Sequence, residues 1–184
     1  ETDENAELII GFNKEINQKE YVDALNNGNI LKILNAEKIA KGDTFYIPTG
    51  RVHAIGAGTV LIEIQQTSDI TYRIFDWNRD STGKTTRELH TDLALDAINF
   101  DAAGKNKIRK EPELNKTVNL VDCEFFNTNI IRFNCAINKE YYSIDSFVMY
   151  ICIDGEFLIR WEENTEKVTK GETVLLPAMI KEII

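Results

Sequence analysis

The octapeptide KGDTFYIP at residues 41–48 returns as KGETVLLP at residues 170–177. Lysine, glycine, an acid, threonine and proline keep their places at an offset of 129 (170 minus 41). A repeat of this kind in a chain of 184 residues constrains the fold to two related β units. In the first copy the glycine allows a tight turn into a strand and the proline fixes φ at its end. Carried five residues past the proline, the register places Glu182 opposite His53, one of only two histidines. If His53 binds a metal, the second unit lacks that ligand.

The runs around the repeat carry strand character. TFYIP, VHAIG, TVLIEIQQ and ITYRIFD are short, rich in β-branched and aromatic residues, and separated by glycine and polar residues. They predict an antiparallel sheet or barrel over 44–75. FFNTNIIRFNCAI, SFVMYICI, GEFLIRW and ETVLLP predict the strands of a second β domain over 118–184. Helical periodicity is confined to two places. In the first, an insertion over about 17–34, Asn17 caps, Glu20 completes a capping box, Tyr21, Val22 and Leu25 share a face, and Gly28 ends the helix. Asn29 then opens a second short turn through Leu34. The second helix runs from a Thr91 cap to Phe100, with Leu93, Ala94, Ala97 and Ile98 as its buried stripe. Residues 1–100 thus form one β unit. The polar stretch 101–117, with Pro112, reads as a linker.

Charge and cysteine usage exclude several classes of partner. The net charge is -9, and no Lys/Arg tract matches a phosphate backbone, so nucleic acid is not an expected partner. No apolar run reaches the roughly 18 residues of a membrane span. Cys123, Cys135 and Cys152 are odd in number and widely spaced, which fits reduced, hydrophobe-like cysteines and a cytoplasmic location. The chain opens on Glu1 with neither an initiator Met nor a signal peptide, as expected of a piece of a longer protein.

The spacing Gly42, Pro48, Gly50, His53 resembles the second conserved motif of the cupin barrels, in which the histidine points into the barrel mouth. Its continuation, VHAIGAGTVLIEIQQTSDITYRIFDWNR followed by GKTTRELH, resembles the type I mannose-6-phosphate isomerases of bacteria. The likeness covers essentially the whole chain, with the diagnostic motifs in 41–90. It implies an all-β fold of cupin-like jelly-roll barrels with a few short helices: a partial first cupin followed by a degenerate second one.

The resemblance also implies a chemistry. Members interconvert mannose 6-phosphate and fructose 6-phosphate through an enediol and carry one zinc ion per intact enzyme. His53 falls on a zinc ligand, Arg73 on the catalytic arginine, and Glu63 on an acid that faces the same cavity as ligand orienter or proton carrier. An always-protonated guanidinium and a zinc ion both suit the negative charge that develops on a sugar oxygen. The family's glutamate ligand lies just upstream of Glu1, and LLPAMIKEII stops short of the last strands. The implied chain is truncated at both ends and inactive alone, because a catalytic zinc usually takes three protein ligands.

The residues leave alternatives open. His53 can be a structural histidine, and Glu63 and Arg73 can form a cross-strand ion pair. His90 in RELHTD reads as a capping or packing residue. Arg79, Lys84 and Arg87 are candidate contacts to a sugar phosphate, with a solvated polar loop as the plainer account. Asp69 and Thr71 are placed to orient Arg73. Phe75, Trp77, Phe125, Phe126, Phe133 and Phe147 read as core rather than as a ligand platform. A non-catalytic sugar-binding cupin and a metal-dependent oxygenase cupin are the rival functions; the scarcity of histidine counts against the second. The parent protein is expected to be a monomer, and the truncated chain to self-associate through exposed strand edges. The central geometric expectation is that His53 and Arg73 converge in one cavity.

Overall fold

The computed structural model describes residues 1–68, 70–77, 87–104 and 106–184. The described residues are mostly β with three short helices, and the chain divides into two compact units: residues 1–110 with 119–128, and residues 111–118 with 129–184. No helix among the described residues is long and apolar enough to cross a membrane.

In the first unit, β1 (Glu7–Phe12) alternates so that Leu8, Ile10 and Phe12 are buried. The chain then runs through α1 (Gln18–Asn26) and α2 (Ile30–Ile33) to β2 (Leu34–Lys38), β3 (Thr44–Phe45) and β4 (His53–Ile55). β1 is the central strand of an antiparallel sheet, flanked by β2 and β4. Phe12, Ile16, Tyr21 and Ile30 form its buried cluster, with Val22, Leu25, Leu95 and Ile98 packed around them. The capping box forms as the sequence predicts. Asn17 Oδ1 accepts from the Glu20 amide at 2.9 Å, and Glu20 Oε2 accepts from the Asn17 amide at 3.0 Å. Asn29 stands at the cap of α2 without a side-chain cap bond.

Helix α3 (Thr91–Ala97) differs from expectation at both ends. The Ala94 amide donates to the His90 carbonyl at 2.9 Å, so His90 is the cap and Thr91 the first helical residue. The helix stops at Ala97, with Ile98 already extended. Its inward side is Ala94, Leu95 and Ile98, whereas Leu93 and Ala97 are exposed. β5 (Lys107–Ile108) pairs with β3 inside the stretch read as a linker. The hairpin of β6 (Lys116–Asp122) and β7 (Asn127–Arg132) comes next.

The second unit contains β8 (Lys139–Glu140), β9 (Val148–Ile151), β10 (Glu156–Trp161), β11 (Asn164–Thr169), β12 (Thr173–Leu176) and β13 (Glu182–Ile183). β10 and β11 form a tight hairpin, β12 pairs with β9, and β13 with β8. Its core is Cys152, Ile159, Val168, Leu176 and Ile183.

The repeat is the same turn built twice. Gly42 and Gly171 adopt φ of +89° and +91°, a region that costs glycine little. The acid next to each glycine caps its own turn: Asp43 accepts from the Ala40 amide at 2.8 Å, and Glu172 from the Thr169 amide at 2.7 Å. Past each proline a second turn repeats, with Arg51 N to Pro48 O at 3.1 Å and Ile180 N to Pro177 O at 3.0 Å. β4 and β13 begin at His53 and Glu182, the positions that the register aligns.

Two expectations fail. TVLIEIQQ and ITYRIFD form no ladder among the described residues, and Val60, Leu61, Ile62, Ile64, Ile70 and Tyr72 stay exposed. A strand needs a neighbour to take its amides and carbonyls. Here the contacts are isolated ones: Val60 N donates to Glu1 O at 2.8 Å, Thr59 bridges Thr2, and Arg73 O accepts from the His90 amide at 2.8 Å. The aromatic residues also divide: Phe75 and Phe126 are half-buried, whereas Trp77, Phe125, Phe133 and Phe147 are exposed. Cys135 is likewise exposed, unlike the buried Cys152.

Candidate active site

His53 opens β4 directly opposite Ile10 of β1. Directly paired residues share a face of an antiparallel sheet, so the imidazole stands on the side where Ile10 is fully buried, yet is itself exposed. Backbone geometry fixes its approach. Gly50 adopts φ +82°, and its carbonyl accepts from the Asn99 amide at 2.9 Å. A Cβ there would lie 2.4 Å from the Ala97 carbonyl oxygen, so glycine is required by close approach as well as by φ.

His53 Nδ1 lies 2.9 Å from the Arg51 carbonyl oxygen. A carbonyl only accepts, so Nδ1 carries the proton and the neutral ring keeps its lone pair on Nε2. That is how backbone carbonyls commonly set metal-ligating histidines. The donor chemistry therefore fits one zinc ligand. It does not extend to a full set: among the described residues no three His, Cys, Asp or Glu side chains group as metal ligands.

Arg73 is half-buried and held by residues 88–90. Its carbonyl accepts from the His90 amide at 2.8 Å, its amide donates to His90 Nδ1 at 3.2 Å, and its Nη1 donates to the Glu88 carbonyl at 3.4 Å. No carboxylate among the described residues pairs with its guanidinium, and the expected alternative of an ion pair with Glu63 does not form. Glu63 is exposed. Among the described residues, no hydrogen bond or ion pair joins His53 to either one. A depression of about 420 Å³ lined by Glu1, Thr2, Asp3, Gly58, Thr59 and Val60 includes none of the three.

Arg87 is engaged elsewhere. Its Nε donates to Asp76 Oδ1 at 2.9 Å, a terminal nitrogen pairs with the same oxygen, and its amide reaches Oδ2 at 3.3 Å. Asp76 is the one buried charged side chain among the described residues. Sequence reasoning misses it, although an acid inside the apolar run RIFDW is a signal for a paired, buried charge. Arg79, Lys84 and Asp69 lie outside the described residues. His90 Nδ1 is taken up by the Arg73 amide, and its ring packs at 6.2 Å from that of Tyr72.

Residues 116–184 match the family model described as "Mannose-6-phosphate isomerase, cupin domain". Over that stretch the chain is similar to this cupin domain. It is 31% identical over 180 residues to the Bacillus subtilis protein YvyI, and 29% identical over 175 residues to mannose-6-phosphate isomerase ManA of the same organism. These alignments take in 96% and 94% of this chain but 56% and 55% of the relatives, so the chain spans about half of their length. The solved mannose 6-phosphate isomerase of B. subtilis superposes with a TM-score of 0.85 at 32% identity, covering 100% of this chain and 58% of that one. The all-β cupin fold expected from the motif is therefore the fold of this chain.

Proposed function

We propose that this chain supplies part of the active site of a mannose-6-phosphate isomerase. In that reaction a proton moves between C1 and C2 of the sugar through an enediol, interconverting the aldose and ketose phosphates. The observation that carries the reading is the likeness of all 184 residues to the B. subtilis isomerase structure. His53 acts as one zinc ligand through Nε2, and the remaining ligands come from residues other than these. When bound, zinc would supply a Lewis acid for the sugar oxygens.

Arg73 carries a guanidinium with no described carboxylate partner, and so is left to stabilise the negative oxygen as the proton leaves carbon. Glu63, exposed and ionisable, carries the proton or orients a ligand. Arg79 and Lys84 contact the phosphate, whereas Arg87 braces Asp76 and contributes less to that contact. The chain by itself is inactive.

Assaying fructose 6-phosphate formation with added zinc tests this, with the 184-residue chain beside the complete protein. The complete protein should turn over mannose 6-phosphate, and Arg73→Ala should lower its kcat about 100-fold or more with little change in KM. No turnover by the zinc-loaded complete protein overturns the assignment, and turnover by the 184-residue chain at the full rate overturns the incomplete ligand set.

A further inference from the structure

Arg73 and His90 are bound together in an unusual way. In a hydrogen-bonded antiparallel pair, two residues exchange both amide-to-carbonyl bonds. Arg73 and His90 make only one of them, from the His90 amide to the Arg73 carbonyl at 2.8 Å. The other is not made; the His90 carbonyl turns into α3 and accepts from the Ala94 amide at 2.9 Å, closing the helix's first turn. The imidazole stands in for it: Nδ1 takes the Arg73 amide at 3.2 Å. An amide only donates, so Nδ1 is the bare nitrogen and Nε2 carries the proton. Nε2 lies 4.0 Å from a Glu88 carboxylate oxygen. The ring cannot cap α3 at the same time, and it makes no cap bond.

We infer that His90 is a positioning residue: it clamps the backbone of Arg73 to the start of α3 and so fixes the direction in which the guanidinium points. The catalytic consequence rests on the role proposed for Arg73; the clamp itself does not. The third link, Arg73 Nη1 to the Glu88 carbonyl at 3.4 Å, falls in the same short segment, so residues 88–90 hold both ends of the arginine. Imidazole suits the task because it offers an acceptor on a rigid ring, and the tilted Tyr72 ring limits its rotation.

Two substitutions separate the acceptor from the bulk. His90→Phe keeps a ring and removes the acceptor, and His90→Asn puts Oδ1 near the place of Nδ1. In the ¹⁵N-labelled chain, hydrogen exchange of the Arg73 amide should quicken about fivefold to tenfold in His90→Phe and stay near wild type in His90→Asn. Unchanged exchange of the Ile10 and Phe12 amides controls for folding. A scalar coupling between the Arg73 amide nitrogen and His90 Nδ1 should be present in wild type alone. In the complete protein, His90→Phe should lower kcat about tenfold at similar KM, and His90→Asn should restore most of it. Equal Arg73 exchange in His90→Phe and wild type, or equal behaviour of the two variants, overturns the clamp. Full turnover by Arg73→Ala overturns the role of Arg73 and the catalytic half of this inference, while the exchange result still decides the clamp.

Discussion

Tyr21 is fully buried, and its hydroxyl has no hydrogen-bond partner among the described residues. Burial pushes its phenol up from the usual 10.0 to about 12. An acid whose folded pKa is raised contributes its full stability below the unfolded value and loses it as pH climbs through the folded one, here between 10.0 and about 12. Tyr21→Phe should therefore gain about 1 kcal/mol at neutral pH, by deleting a desolvated hydroxyl, and flatten the alkaline limb of a urea-midpoint profile. The helical period revealed Tyr21 as an inward residue, whereas the missing partner for its hydroxyl depends on neighbours that no local pattern specifies. Glycine permits a sharper comparison. Gly171→Ala meets open space and should cost about 1–2 kcal/mol for φ alone, whereas Gly50→Ala also collides with the Ala97 carbonyl and should cost about 3 kcal/mol or more by denaturant titration. Gly171 was legible as the repeat partner of the turn glycine Gly42, and Gly50 only through the motif spacing. The contact that makes them unequal belongs to a helix 47 positions further on (97 minus 50), and is visible only in three dimensions.

Among the elements, α1 is the one that the sequence specified most fully, because its capping box is closed within four residues. Asn17→Ala should cost about 1 kcal/mol, read as a lower thermal midpoint. The turn before β12 carries a pH signature. Hydrogen bonds from the Thr169 amide and hydroxyl hold the Glu172 carboxyl below its ordinary 4.5. The stability it contributes is complete above 4.5, the unfolded value, and disappears as pH falls through the lower folded value. The gap in urea midpoint between wild type and Glu172→Gln should accordingly be widest near neutrality and close in acid. Strand reading succeeded for β9, β10 and β12, whose alternating residues face a core that the chain itself supplies. It failed for TVLIEIQQ and ITYRIFD, because alternation records a preference for a pleated surface and says nothing of which neighbour completes it. His53 was legible as a strand-end residue beside a turn; the carbonyl that fixes its tautomer was not.

At the scale of the whole molecule, each unit has its own buried cluster. Ile159 is 2% exposed at the centre of the second, so Ile159→Ala should destabilise that unit by about 3 kcal/mol, followed through the fluorescence of half-buried Trp161. The first unit leaves Val60, Ile62 and Ile64 exposed along an unladdered segment, and copies of this chain should associate there as concentration rises. Sedimentation velocity should show that association, and Ile62→Lys with Ile64→Lys should abolish it; a concentration-independent monomer would rule it out. The matched turns at Gly42 and Gly171 give the two halves a common chassis with different fittings. The same scaffold thus delivers a different side chain at each mounting point: histidine on one, turned toward the Arg51 carbonyl, and glutamate on the other, holding the Tyr142 hydroxyl.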